Sequence, residues 1–144
     1  MAIKIDSALL DSLTEQAKAS PRLRMNYDLR NDASDTSQRM LNAIEPGSVV
    51  PIHRHLKTSE TVVVLRGKVV EEFYDEFERI CSATYEVSPC GPVCALNIPV
   101  GTWHTLRSLE SGTVILEVKD GAYEPIQDSD ILSMKSVEVG CASC

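Results

Sequence analysis

From residue 38 onward, the sequence alternates short strand-like runs with turn signals, and this pattern limits the possible folds more than any other feature. β-Branched and apolar residues fill the runs, while Pro, Gly, Asn, Asp and Ser fill the breaks. Several short strands separated by turns every 8–12 residues indicate a β-sandwich or barrel. The eight predicted strands are Met40–Ile44, Val49–His55, Thr61–Leu65, Lys68–Tyr74, Ile80–Val87, Cys94–Ile98, Thr102–Arg107 and Thr113–Lys119.

The N-terminal segment has a different period. Apolar residues recur every four positions between residues 5 and 19, which predicts an amphipathic helix that ends at Ser20-Pro21. Residues 22–37 are polar without a clear period and predict an ordered loop or arm. We therefore expect a helical arm over residues 1–37, a β-domain over 38–125 and a tail over 126–144. The helical stripe consists of Ile5, Leu9, Leu13 and Ala17, of which Leu9 and Leu13 could serve a homodimer contact.

Composition narrows the function classes. The chain has 144 residues, enough for one domain, and its 14 basic and 21 acidic side chains give a net charge of −7. Such an acidic chain is a poor ligand for the phosphate backbone of nucleic acids. The apolar runs are too short to span a membrane, and the first residues lack the apolar core of a secretory signal. We therefore expect a cytoplasmic protein that binds neither nucleic acid nor membrane.

All three histidines of the sequence lie at positions from which they could bind the same metal ion. His53 and His55 are two residues apart on a predicted strand, so their side chains point to the same face. Glu60 opens the returning strand and can lie beside them. His104 begins another strand after a Pro-Gly turn, and a sheet that closes on itself would bring it opposite the first pair. We predict that these four side chains bind one metal ion.

These residues resemble the two motifs of the cupin superfamily. The first motif is matched in full, spacing included, by Gly47-x5-His53-x-His55-x4-Glu60-x6-Gly67. The core of the second resembles Pro99-x-Gly101-x2-His104, although its leading glycine has no counterpart at the expected distance and Ser108 replaces its trailing asparagine. The resemblance implies an all-β single cupin, a double-stranded β-helix or jelly-roll barrel, here with an N-terminal helical arm.

A narrower resemblance covers about residues 5–130. The chain is similar to the WbuC family of cupin-fold metalloproteins, which is associated with gene clusters for O-antigen and other bacterial surface polysaccharides. The stretches that carry this resemblance are residues 21–26, 38–47, 99–109 and 117–125. It implies a small carbohydrate-type substrate, and cupins of this size commonly form homodimers.

The donor set suggests what the metal could be and do. Three neutral imidazoles and one carboxylate suit Fe(II), Mn(II), Ni(II), Co(II) or Zn(II), and leave positions open in an octahedral shell. The first hypothesis is an isomerase- or epimerase-like enzyme of surface polysaccharide synthesis that uses the ion as a Lewis acid. The alternatives are an Fe(II)-dependent small-molecule dioxygenase and a non-catalytic sugar-binding or metal-binding cupin. The sequence identifies no catalytic residue.

Several further residues are weaker candidates for contacts to the substrate or to the ligands. Arg39 and Asn42 are an odd number of positions apart, and side chains alternate between the two faces of a strand. A regular strand therefore places only one of the two inward. Lys57 lies in the turn beside the site. Glu117 interrupts an apolar strand and either orients a histidine or faces solvent.

Five cysteines in a chain without an export signal favour reduced thiols over a disulfide framework. Cys90 and Cys94 are close in sequence, but the sequence offers no second pair of metal ligands that would complete a site with them. Cys141-x2-Cys144 forms one CxxC pair, which is too little for a zinc site and lacks a flanking βα unit. We expect unpaired thiols at these positions.

Overall fold

A computed structural model describes residues 1–134. It contains one α-helix, eight strands and a short 3-10 helix over Asp128–Asp130. Strands β1, β2, β8, β3 and β6 form a five-stranded sheet in that order, and β5, β4 and β7 form a three-stranded sheet. The elements are α1 (Ser7–Ala19), β1 (Arg24–Asp28), β2 (Ser37–Ile44), β3 (Glu60–Arg66), β4 (Val69–Tyr74), β5 (Cys81–Val87), β6 (Ala95–Ile98), β7 (His104–Ser108) and β8 (Val114–Asp120).

Helix α1 packs on the outer face of the five-stranded sheet. Asp6 caps the helix, because its carboxylate accepts a hydrogen bond from the Leu9 N–H at 3.1 Å. The buried stripe includes Leu10, while Ile5 is 44% exposed and lies before the helix. The apolar cluster under the helix comprises Leu10, Leu13, Ala17, Leu41, Ala43 and Val114.

Leu13 was expected to be available for a homodimer, and that expectation is wrong. Its side chain is 2% exposed because it is buried against the protein's own sheet. The helix therefore uses its apolar face to close the outer side of the domain. The structure describes a single chain and does not show a homodimer.

The principal core lies between the two sheets. Alternation along each strand divides apolar residues between the helix-facing side and this interior. The inner cluster draws from both sheets, so the layers run helix, five-stranded sheet, core and three-stranded sheet. Its members are Ile44, Val62, Val64, Val69, Val87, Ile98, Leu106 and Ile115.

The polar segment after the helix contains a strand that the sequence pattern did not indicate. Strand β1 pairs with β2 in antiparallel register, from Arg24 opposite Ile44 to Asp28 opposite Met40. Its outer face contributes Met25 and Tyr27 to the helix cluster. Over Arg24–Asp28 the expected ordered loop or arm is a strand instead, because pairing with β2 satisfies the backbone of a segment with little periodicity of its own.

The predicted strand Val49–His55 is also wrong. Only His53 forms an isolated β-bridge, whose partners are His104 and Ile131. Pro51 has no backbone N–H to donate, so a continuous ladder cannot form through it. Both histidines nevertheless reach the site described below.

The fold is mostly β-sheet with one N-terminal helix, as predicted, but the hydrogen-bonded sheets are separate ladders within residues 1–134. The closed barrel of the prediction is therefore not shown. In the same range, no helix is long and apolar enough to cross a membrane.

Candidate metal centre

A reciprocal pair of backbone hydrogen bonds joins His53 to His104. The His53 N–H donates to the His104 carbonyl and the His104 N–H donates to the His53 carbonyl, both at 2.9 Å. This reciprocal pair anchors the irregular segment around His53 to the first residue of β7. The imidazole centroids of the two residues consequently lie 4.5 Å apart.

Glu60 completes the group from the first position of β3. Its Oε2 lies 3.2 Å from His55 Nε2 and 3.4 Å from His104 Nε2. One donor atom from each of the four residues, His53 included, lies within 4.8 Å of the others. The structure thus brings together all four side chains that the sequence selected.

Backbone carbonyls fix the tautomers of two of the imidazoles. His53 Nδ1 lies 2.8 Å from the Pro51 carbonyl oxygen, and His104 Nδ1 lies 2.8 Å from that of Thr102. A carbonyl oxygen only accepts hydrogen bonds, so each Nδ1 carries the proton. In the neutral ring this tautomer leaves the lone pair on Nε2, which is the form that binds metals.

Electrostatics favour the same protonation states. Burial, together with the charge of neighbouring His104, lowers the pKa of His53 to about 4, so its ring is neutral at pH 7. Burial opposes ionisation of Glu60, but the adjacent imidazoles of His104 and His55 outweigh it and hold the pKa of Glu60 well below its usual value. The centre therefore presents a neutral His53 imidazole and an anionic Glu60 carboxylate.

Two of the buried side-chain atoms that could bind a metal at this centre lack hydrogen-bond partners within residues 1–134. They are His55 Nε2 and Glu60 Oε2, which approach each other without hydrogen-bond geometry. Buried polar atoms are costly when unpaired, and a cation placed among these lone pairs would satisfy them. The side chains therefore fit a divalent metal ion, and the donors do not determine its identity.

The centre opens into a cleft of about 1110 Å³. All four donor residues line it, as do Asn42, Lys57 and Glu117 from the weaker candidates. The cleft also takes residues from β1, β2 and β8 and from the segment 121–131. A small molecule that enters the cleft would reach the four donors directly.

Asn42 and Glu117 lie beside the centre on the inner face of the five-stranded sheet. The Asn42 amide donates to Glu117 Oε2 at 2.6 Å. Burial, and next the negative charge of Glu60, raises the pKa of Glu117 to about 7. The amide fixes the orientation of a carboxyl group that faces the cleft.

Lys57 and Arg39 are placed differently. The Lys57 side chain is 74% exposed at the cleft edge and pairs with Glu124 at 2.9 Å. Arg39 does not line the cleft. It lies on the other face of β2, where it donates to the Leu29 carbonyl at 3.0 Å and to the Asp35 carboxylate at 3.1 Å. Its contacts organise the loop that precedes β2.

Sequence reasoning missed Lys119, which reaches the same centre. Its Nζ lies 3.7 Å from Glu60 Oε1 and 3.9 Å from Glu117 Oε2. Lys119 follows Glu117 by two residues on β8, so strand parity could have identified it. The positive charge of Lys119 offsets part of the negative charge of Glu60 and Glu117.

The cysteines form no site in the part of the chain that the structure covers. Cys90 and Cys94 are free and exposed, as is Cys81. Cys141 and Cys144 lie outside the described residues. The expectation of unpaired thiols is met for the first two positions and stays a prediction for the last two.

Comparison with solved structures identifies the fold. KdgF from Halomonas sp. is 15% identical, with 72% of this chain and 84% of that chain covered, and a TM-score of 0.57. An oxalate oxidase in complex with glycolate is 16% identical over 74% of this chain, with a TM-score of 0.57. The capsular polysaccharide assembling protein CapF from Staphylococcus aureus is 22% identical over 70% of this chain, with a TM-score of 0.55.

This chain spans 55% of the oxalate oxidase chain and 30% of CapF. At these identities the likeness establishes the fold alone, and a structure described as a cupin 2 domain-containing protein is among the matches. The cupin resemblance of the sequence is confirmed at the level of the fold, whereas the narrower WbuC assignment stays a prediction.

No curated protein matches this chain. A family model described as a domain of unknown function (DUF6016) matches residues 5–85. That range covers more than half of the chain and contains the first three donors of the centre. The protein therefore belongs to the DUF6016 family, and its fold is that of a cupin.

Proposed function

We propose that this protein is a metal-dependent enzyme that acts on a small carbohydrate-type substrate, in the manner of an isomerase or epimerase. One divalent transition metal, Fe, Mn, Ni, Co or Zn, would be held by His53, His55, Glu60 and His104. The observation that carries the proposal is the convergence of these four donors within 4.8 Å beside an open cleft.

A bound divalent ion would supply Lewis acidity, which polarises a carbonyl or stabilises an enediolate. The protein's own residues would prepare the site for that chemistry. The carbonyls of Pro51 and Thr102 keep the protons of His53 and His104 on Nδ1. Asn42 holds the Glu117 carboxyl toward the cleft, where it can contact a substrate hydroxyl.

The carbohydrate class rests on two supports. Amide, carboxyl and ammonium groups of Asn42, Glu117 and Lys119 line the cleft next to the donors, and such groups suit a polyhydroxylated molecule. CapF, which shares the fold, is described as assembling capsular polysaccharide. We extend the proposal to bacterial surface polysaccharide (O-antigen) biosynthesis, in line with the resemblance to the WbuC family.

The remaining features of the proposal come from the sequence. They are a cytoplasmic location, a homodimer, and a jelly-roll barrel over residues 38–125 between a helical arm (1–37) and a tail (126–144). The packing of α1 on the five-stranded sheet supports an arm that is part of the domain.

Elemental analysis of freshly purified protein tests the metal site. We expect about one divalent transition metal ion per chain in the wild type and almost none in the double variant His53→Ala/His104→Ala. A Cys90→Ala/Cys94→Ala variant is the matched control, because it removes two exposed potential ligands outside the cleft and should retain the metal. Far-ultraviolet circular dichroism confirms that each variant is folded.

Equal metal content in the histidine variant and the wild type would refute the proposed ligand set. With the metal identified, turnover of sugar phosphates or nucleotide sugars would support the isomerase or epimerase. Oxygen consumption by the iron form would instead select the dioxygenase. Ligand-induced stabilisation without turnover would select a binding protein.

A further inference from the structure

Two arginines in the cleft have no partner within residues 1–134. The guanidinium groups of Arg22 and Arg24 make no ion pair or side-chain hydrogen bond in this range, and the Nε of Arg24 is buried without an acceptor. Every other arginine of the chain donates to a carboxylate, hydroxyl or carbonyl oxygen. Those six are Arg30, Arg39, Arg54, Arg66, Arg79 and Arg107.

The unpaired groups lie on the same inner surface as the metal centre. Met25 and Tyr27 face the helix, so alternation places Arg24 and Asn26 on the inner face of β1, where both line the cleft. Asn26 is opposite Asn42 in the β1–β2 register. A polar row therefore begins at β1 and continues across the sheet.

The far end of this row is Glu60. The strand order β1-β2-β8-β3 puts three strand spacings, about 14 Å, between strands β1 and β3. Arg24 is opposite Ile44 of β2, whereas Glu60 is level with Gln38, six residues or about 20 Å farther along that strand. Both side chains extend into the intervening space, and Glu117 on β8 lies between them. The charge of Glu117 acts on Arg24, and the charge of Glu60 acts on Glu117, so a sugar-sized molecule beside Glu117 would direct a terminal charged group toward Arg24 and its other oxygens toward the donors.

The charges around Arg24 favour an anion. Burial, and next the positive charge of Arg22, lowers the pKa of Arg24, which means that its charged form is poorly compensated. Glu117 is the one acidic group that acts against this effect among the described residues, and it is already held by Asn42. A planar guanidinium without a partner binds carboxylate or phosphate oxygens in a bidentate manner.

We propose that Arg24, assisted by Arg22, forms an anion subsite, and that the substrate is a carbohydrate-type acid or phosphate ester. Its anionic group binds at β1 while its hydroxyl or carbonyl oxygens reach the metal centre. This inference rests on the proposed function and specifies its substrate class. A neutral sugar would leave the two guanidinium groups uncompensated.

Isothermal titration calorimetry on metal-loaded protein tests the subsite with D-glucuronate, D-glucose 6-phosphate and neutral D-glucose. We expect at least one anionic probe to bind at least tenfold more tightly than glucose, and Arg24→Gln to remove that advantage. The matched control is Arg107→Gln, which makes the same charge change on β7 at a side chain that pairs with Glu72 away from the cleft. It should bind like the wild type.

The two anionic probes distinguish a carboxylate subsite from a phosphate subsite. Inorganic phosphate added to the wild type gives a second test that needs no variant, since it should compete with the preferred anionic probe and not with glucose. Equal binding of charged and neutral probes, absence of binding by both anions, or an unchanged preference in Arg24→Gln would overturn the subsite. Elemental analysis of the same samples keeps this failure distinct from failure of the metal site.

Discussion

Replacing Glu71 with glutamine should stabilise the metal-free protein at neutral pH. Glu71 is fully buried in the middle of β4, opposite Tyr85 on β5 and Leu106 on β7. Glu71 is two residues from Val69 on the same strand, and Val69 belongs to the inner core. The Glu71 side chain therefore also points between the sheets. Neither carboxyl oxygen has a hydrogen-bond partner within the described residues.

The magnitude follows from the pKa. Burial, and next the negative charges of Glu60 and Glu117, raises the pKa of Glu71 from 4.5 to about 9. Between these values the folded state holds one more proton than the unfolded state, so the free energy of unfolding falls as pH rises. The raised pKa of Glu71 therefore lowers the free energy of unfolding by about 1.4 kcal/mol for each pH unit above 4.5, or about 3 kcal/mol at pH 7.

Urea denaturation of both proteins from pH 5 to pH 7, after treatment with a chelator, measures this effect. The metal is removed because a bound cation would offset the charge of Glu60. Glu71→Gln keeps the shape of the side chain and cannot ionise, so its stability advantage should be small at pH 5 and reach about 3 kcal/mol at pH 7.

The neighbouring Glu72→Gln is the matched control, with the opposite sign. Burial opposes ionisation of Glu72, but hydrogen bonds from Tyr74 and Arg107 outweigh it and lower the pKa of Glu72. That substitution should destabilise by the same amount from pH 5 to pH 7, because a pKa lowered from 4.5 leaves Glu72 ionised throughout this range in both the folded and the unfolded state. If the advantage of Glu71→Gln does not grow with pH, or if the variant is less stable at pH 7, the reasoning is refuted.

Two further changes test the packing. Gly67→Ala should cost at least ~2 kcal/mol of unfolding free energy, because Gly67 has φ +81° and a Cβ there would lie 2.7 Å from Thr113 Cα; Gly101→Ala, at φ +79° with open space around it, should cost about 1 kcal/mol. Equal costs in urea denaturation would contradict the close approach of Thr113 to Gly67. Leu13→Ala should cost about 2–5 kcal/mol and Leu9→Ala less, since only Leu13 is fully buried under the sheet. A change in oligomeric state on sedimentation, without loss of monomer stability, would contradict the packing of α1 within its own chain.

The donors of the metal centre were accessible to sequence reasoning because local spacing constrains them. His53 and His55 are two residues apart, so an extended backbone directs both side chains to the same side. This holds even though the predicted strand through them is broken at Pro51. That Asn42 and Arg39 lie on opposite faces of β2 likewise follows from alternation along the strand. Such inferences need only the period of an extended backbone.

Other features could not be derived because they depend on partners distant in sequence. Strand β1 has no periodicity of its own, and its pairing with β2 places Arg24 in the cleft. In the sequence, Glu71 is an ordinary charged residue beside Glu72, and the register of β4 with β7 buries it. Alternation along a strand states which residues share a face, but not which face is covered.

The sequence by itself determined the candidate donor set, the mostly β character and the N-terminal helix, because residue type, turn chemistry and period are local properties. The tertiary structure alone decided the convergence of the His104 and Glu60 side chains, the packing of α1 and the burial of Arg24 without a partner among residues 1–134. The physical reason is that burial and the pairing of charges depend on which strands become neighbours. That order, β1-β2-β8-β3-β6, joins segments as distant in sequence as Ser37 and Asp120.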